Sequence, residues 1–258
     1  MRLRYNHPLL AESQRDRIEV VLVSPRNPLN MGAAARAMVN FGFSHLTVVA
    51  PYEPHWREAK SAIGAEAVLQ KASCTQCLEE AVADCALVIG TATLADRRPE
   101  QPILFLPALA PRVVEALDRG GRTALVFGPE KRGLTRDDLA LCHLLVEIPT
   151  HPGQPSMNLG QAVAVCLYEL AVRSFSPAPR EDTALPLGSV ADPASMQDLD
   201  LLAQVVADTM QAAHYSPAAM QKANRRDLDL LLRRLALTRA DVRRILGLFR
   251  RVLWRLQR

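Results

Sequence analysis

The sequence predicts an α/β protein: a parallel sheet covered by helices, followed by a small all-helical segment. Three observations predict it. Short apolar, β-branched runs alternate with helical patterns over the first two-thirds of the chain. No run is long enough to cross a bilayer, the longest being strand-sized, as in Ile18 to Val23. Beyond a Pro/Ala/Ser/Asp-rich stretch, only helical periodicity continues.

The elements follow in order. Ile18 to Val23 reads as a buried strand, because five of its six residues are apolar without alternation. A Pro28-Leu-Asn30 turn leads into a helix over Met31 to Phe41. Further strands are expected at Leu46 to Ala50, Ala86 to Ile89, Ala124 to Phe127 and Leu144 to Ile148. Helical patterns near Ala65–Lys71, Cys77–Ala83, Pro107–Leu117 and Leu159–Val172 separate or follow them. β-Branched runs joined by helices imply parallel pairing. The stretch 175–194 reads as a linker. Helices are expected from Met196 to Ala213, from Pro217 to about Arg234, and after Thr238, where Thr238-Arg-Ala-Asp241 is a capping-box pattern.

With 258 residues, nearly half of them apolar, the chain can bury a large core, which excludes global disorder. The first residues lack the apolar core of a secretory signal, so a cytoplasmic location is expected. The five cysteines, odd in number and mostly in apolar contexts, read as reduced thiols. Cys74 and Cys77 have the spacing of half a zinc site, but no second pair lies at a suitable distance, so no metal is expected. Charge is uneven. Residues 195–258 carry 12 Lys/Arg against 6 Asp/Glu, net +6, while residues 1–194 hold the other 19 and 21, net −2. A basic tail on an otherwise neutral chain points to a polyanionic partner.

Three loops after strands are candidate chemistry, because open parallel sheets bind ligands at the carboxyl ends of their strands. Asn30-Met-Gly-Ala-Ala-Ala-Arg36 opens a helix with small residues that permit close backbone approach, and Arg36 then projects from an alanine-lined face. Phe127-Gly128-Pro129-Glu130-Lys-Arg-Gly133-Leu134 matches neither a Walker loop nor a dinucleotide fingerprint. Ile148-Pro followed by a Pro/Gly-rich loop ends in Ser156-Met157-Asn158-Leu159, where Ser156 and Asn158 can cap the next helix. Each alone has an ordinary structural explanation: a packed helix, a strand–turn–helix junction, and a cap.

Together and in this order, the three resemble the signature motifs of the SPOUT methyltransferases, over residues 18 to about 173. The resemblance is strongest to the branch that methylates ribose 2′-oxygens. The helical extension, and Gly90-Thr91-Ala92-Thr93 followed by Asp96-Arg97-Arg98-Pro99, are similar to members acting on cytidine and uridine of tRNA.

The resemblance implies a deep trefoil knot at about 124–170 within a methyltransferase domain spanning 1–174. It implies S-adenosylmethionine as cofactor, held by Thr91, Ala92, Thr93, Gly128, Glu130, Ile148, Ser156, Met157 and Leu159. Family members commonly have Arg at the position of Pro129 and Leu at that of Met157, and Pro129 removes one backbone donor. Arg36 would activate and orient the ribose hydroxyl, with Asn30, Ser156 and Asn158 shaping the same site. The resemblance further implies a homodimer with active sites at the subunit interface. The substrate it implies is a tRNA ribose, at cytidine or uridine 32 of the anticodon loop. Ribosomal RNA, another tRNA position, or a non-catalytic RNA-binding role are the alternatives.

The ten arginines between Arg225 and Arg255 suit phosphate tracking by a helical module over 195–258. Arg225, Arg226, Arg243 and Arg244 are the candidate RNA contacts there, and Arg97 and Arg98 nearer the cofactor loop. Trp254 is expected in the core rather than as a base-stacking platform.

Overall fold

A computed structural model describes residues 10–92, 99, 101–172, 192–215, 217 and 220–258. Seven parallel strands form one sheet: β1 (Ile18–Val23), β2 (His45–Val49), β3 (Ser73–Thr75), β4 (Cys85–Thr91), β5 (Ile103–Phe105), β6 (Arg122–Phe127) and β7 (Leu144–Glu147). Their spatial order is β3-β2-β1-β6-β4-β7-β5. The five longer strands are those anticipated from apolar runs. β3 and β5 are three-residue additions at the two edges.

All six residues of β1 are buried, as a central strand covered on both faces must be. One face packs Val20, Leu22, Val48, Ile89, Leu125 and Val146 against α2 (Pro28–Phe41), α3 (Glu66–Lys71), α5 (Leu109–Asp118) and α7 (Leu159–Val172). The alternate residues Val21, Val23, Val49, Val88, Val126 and Leu145 face the other way. That second face is covered by α4 (Leu78–Val82), α6 (Arg136–Ala140) and the C-terminal helices α8 (Met196–Ala212), α9 (Gln221–Arg234) and α10 (Arg239–Leu256). Met196, Leu199, Leu202 and Val206 of α8 share one apolar cluster with the sheet. A short helix α1 (Glu12–Arg15) precedes β1.

α2 begins three residues earlier than the apolar pattern suggests. Asn27 caps it, accepting from the Leu29 N–H at 2.9 Å, and Pro28 takes the first helical position, where its missing N–H costs nothing. α10 starts with the expected capping box, Thr238 and Asp241 each bonded to the other's backbone N–H. α9 starts at Gln221 rather than at Pro217.

Two expectations fail. Trp254 is 50% exposed, because the last turns of α10 find no surface to pack on among the described residues, and the Arg258 guanidinium lies 3.8 Å from its ring centroid. Arg233, counted among the surface arginines, is buried. Its guanidinium meets Asp200 at 3.5 Å and Asp229 at 3.8 Å, which offsets its desolvation.

Candidate functional site

A cavity of about 250 Å³ lies at the carboxyl ends of β4, β6 and β7, where parallel sheets hold ligands. Three chain segments build it. Thr91 and Ala92 close β4: the Thr91 hydroxyl donates to the Val126 carbonyl at 3.0 Å, and the Ala92 N–H to the Val146 carbonyl at 3.1 Å. β4 is thereby tied at its exit to both neighbours.

The loop after β6 supplies Gly128 to Leu134. Here a glycine is required, since a Cβ on residue 128 would stand 2.3 Å from the Leu134 nitrogen and 2.4 Å from the Gly133 carbonyl carbon. The loop is a tight turn: the Pro129 carbonyl accepts from the Gly133 N–H at 2.8 Å. Pro129 therefore serves the turn through its carbonyl.

The segment after β7 supplies Ile148, Thr150, Pro155, Ser156, Met157 and Leu159. α7 then packs so closely on α2 that a Cβ at Gly160 would lie 2.7 Å from that of Ala33. Small residues in both helices make this approach possible.

A directional chain of hydrogen bonds joins the three motifs. Asn158 accepts the Gly160 N–H at 3.0 Å and so caps α7, and its amide nitrogen donates to the Asn30 side-chain oxygen at 2.9 Å. The Asn30 amide nitrogen donates to Glu130 at 2.8 Å. The same carboxylate accepts the N–H groups of Arg26 and Asn27, each at 3.2 Å. A carboxylate can only accept and a helix N–H can only donate, so the orientation of both asparagine amides is fixed. Partial burial raises the pKa of Glu130. The Asn30 amide and the backbone donors outweigh it and hold the carboxyl below its usual range.

The structure thus brings eight of the sequence-predicted cofactor residues to one cavity: Thr91, Ala92, Gly128, Glu130, Ile148, Ser156, Met157 and Leu159. Asn30 and Asn158 stand at its edge through Glu130. Thr93, Arg97 and Arg98 lie outside the described residues, as does most of the 175–194 segment. Arg36 does not line the cavity. It is exposed on the outer face of α2, in line with the exposed Leu29 and near Val39, and pairs with no group among the described residues.

In the C-terminal helices, Arg225 is bound to Asp229 at 3.1 Å and Gln204 at 2.8 Å, while Arg226 stands 3.9 Å from Asp137. Arg243 and Arg244 are exposed. Sequence reasoning missed Arg26 and Asn27, whose contribution is made by backbone N–H groups. It also missed Phe127, Val146 and Ala162 in the cavity wall; their apolar character had marked them only as core.

Residues 17–168 match the model of the SpoU rRNA Methylase family. The chain belongs to this family. Among curated relatives, a Pseudomonas aeruginosa protein named tRNA (cytidine/uridine/adenosine-2′-O-)-methyltransferase TrmJ is 44% identical over 156 residues, covering 60% of each chain. A Yersinia pestis protein named tRNA (cytidine/uridine-2′-O-)-methyltransferase TrmJ is 39% identical over 162 residues, again 60% of each. The chain thus spans about 60% of the length of these relatives. Among solved structures, TrmJ from Z. mobilis ZM4 superposes with a TM-score of 0.78 at 29% identity, over 91% of this chain and 98% of that one. A probable methyltransferase from Bordetella pertussis Tohama I gives a TM-score of 0.57 at 31% identity, over 62% of this chain and 97% of that one. Membership of the SpoU family agrees with the resemblance read from the three motifs, and the Z. mobilis likeness extends it to the helical C-terminal part.

Proposed function

We propose that this SpoU-family chain is an S-adenosylmethionine-dependent ribose 2′-O-methyltransferase acting on tRNA, at cytidine or uridine 32. The observation that carries the reading is the cavity at the strand ends, walled by the end of β4 and the second and third motifs and tied to the first motif by the Asn158–Asn30–Glu130 chain. The names carried by the Pseudomonas and Yersinia relatives support the substrate.

The cavity suits the cofactor. It is concave and mixed in character, and it is walled by small residues and loop backbone that can serve an adenosine and an amino-acid moiety. Thr91, Ala92, Thr93, Gly128, Ile148, Ser156, Met157 and Leu159 would hold it. Bound there, S-adenosylmethionine supplies an electrophilic methyl group on a sulfonium. Arg36 orients the ribose through its hydroxyl or adjacent phosphate. Its guanidinium stays charged, so it stabilises negative charge growing on the 2′-oxygen rather than taking the proton.

Arg36 faces away from its own chain's cavity, and its helix face carries exposed Leu29 and Val39, with Tyr168 exposed on the adjoining α7. These features support a homodimer in which Arg36 completes the partner's site. In the same reading, residues 1–174 form the methyltransferase domain with a trefoil knot near 124–170, and 195–258 the RNA-binding module. Arg97, Arg98, Arg226, Arg243 and Arg244 then contact RNA in the cytoplasm. A ribosomal RNA target is the second reading, favoured by the family description.

The test is methyl transfer from labelled S-adenosylmethionine to unmodified bulk tRNA, with nucleoside mapping. Wild type should give 2′-O-methylcytidine or 2′-O-methyluridine at the start of the anticodon loop. Arg36→Ala should lose about 100-fold or more in rate, as expected for a group that stabilises transition-state charge, with cofactor affinity kept. Label in ribosomal RNA only would favour the second reading. Cofactor binding without transfer to any RNA would sink both.

A further inference from the structure

A second depression, of about 720 Å³, opens between the loop after β6 and helix α9. Arg132, Gly133 and Leu134 line both it and the cofactor-sized cavity, so the two are neighbours on the same loop. Its volume falls in the range of sites that enclose a nucleotide-sized ligand. One wall carries Arg136, at the first position of α6. The other is a single face of α9, with Ala223, Arg226 and Leu230 three or four residues apart. Three guanidinium groups line the cleft against one carboxylate, Asp227.

Two of these cations, Arg136 and Arg226, are available. Arg136 is exposed and has no carboxylate partner among the described residues. Arg226 reaches across the cleft to Asp137 only at 3.9 Å, with the arginine side chain 39% and the aspartate 73% exposed, so this pair is easily exchanged for another anion. Arg225, one residue earlier, is instead committed to Asp229 and Gln204 within the helical layer. Guanidinium forks on opposite walls of a groove match the oxygens of a phosphodiester chain. An acidic peptide would satisfy the charge, but the cleft's place beside the proposed cofactor cavity favours the RNA strand.

We propose that this cleft holds the backbone of the unpaired RNA strand flanking the target ribose, with Arg136 and Arg226 contacting its phosphates from opposite walls. The inference rests on the RNA methyltransferase reading. It adds a path for the strand and assigns two contacts on it, one of them, Arg136, outside the basic tail.

The experiment measures binding of fluorescein-labelled unmodified tRNA by the full chain between about 50 and 200 mM salt, where phosphate contacts set the slope. Arg136→Gln and Arg226→Gln should each flatten the log–log salt dependence by about 0.7, and the double variant by about twice that. Ala223→Trp fills the cleft from an exposed helix position. It should weaken tRNA binding at least tenfold while leaving S-adenosylmethionine affinity unchanged. Lys71→Gln, an exposed site at the end of α3 outside the cleft and the C-terminal helices, should leave the slope as it is. If wild type binds and methylates tRNA while both cleft glutamine variants keep its slope, the cleft assignment is wrong and the function stands. Equal flattening by Lys71→Gln would reduce the effect to diffuse charge and overturn the assignment. Absence of salt-dependent RNA binding by wild type would overturn both.

Discussion

Replacing Asn30 by Asp puts a carboxylate where Glu130 now receives an amide N–H at 2.8 Å, changing one atom and little volume. A hydrogen bond to a charged acceptor contributes about 1.5–3 kcal/mol, and it is lost. Two like charges at 2.8 Å repel by about 6 kcal/mol at an effective dielectric of 20 and about 1.5 in bulk water. The site is half-exposed, so the true figure lies between. Protonating one carboxyl relieves the repulsion, which caps the penalty near the cost of adding a proton at the working pH: about 5 kcal/mol at pH 8, but about 1 at pH 5. A protonated carboxyl can also donate to its neighbour and restore the lost bond. Asn30→Asp should therefore destabilise the fold by about 3–5 kcal/mol at pH 8 and by about 1 at pH 5. Asn30→Leu, which removes the donor without adding charge, should cost nearly the same at both. Urea unfolding of the three proteins at the two pH values reads this directly. An equal loss for Asn30→Asp at pH 5 and pH 8 would show that Asn30 and Glu130 are not coupled as described.

Gly128→Ala should leave the chain folded but weaken S-adenosylmethionine binding about tenfold or more. Its Cβ can be accommodated only by moving the backbone at 133–134, and calorimetry would measure the loss. Burial pushes the His143 pKa down to about 3, and the nearby Arg233 adds to the shift. The folded state therefore binds fewer protons than the unfolded one below about pH 6.5, so stability should fall as pH drops from there, by at most about 1.4 kcal/mol per unit. The ring edges a small cavity and water screens part of this. Its Nδ1 accepts from the Val88 N–H, so His143→Asn keeps an acceptor, and a stability–pH slope unchanged in that variant would refute the assignment. Of the five cysteines, Cys74 is exposed, while burial drives the Cys142 and Cys166 thiols up to about 12 and Cys85 higher still. A thiol reagent should label Cys74 first and reach those three only on unfolding, and mass spectrometry of the native protein would expose any departure.

The central strands were legible because burial on both faces forces runs that are apolar or nearly so, which is why Ile18–Val23, broken only by Glu19, and Ala124–Phe127 stood out. β3 and β5 were not: three residues at a sheet edge, with Ser73 and Cys74 exposed, carry no periodicity. The cavity residues were legible as motifs, since glycine and capping side chains mark turns whatever surrounds them. What holds the motifs together was only partly so, because Glu130 is bound by the N–H groups of Arg26 and Asn27 besides the Asn30 amide, and any residue but proline could supply those. The burial of Arg233 was hidden for a related reason. Its partners, Asp200 and Asp229, lie one on another helix and one a turn back, so the acid cluster forms only when α8 and α9 pack. Trp254 misled in the opposite sense, a large apolar ring on a helix that outruns its support.

The sheet's second face is closed in large part by α8, whose residues are encoded after all seven strands. At about 5–20 residues per second, a ribosome takes several seconds to add the last sixty or so residues. During that interval a finished sheet with an open row of valines waits for its cover. The nascent chain is then at its greatest risk of sticking to other chains, and a stop codon just after α7 would make that state permanent.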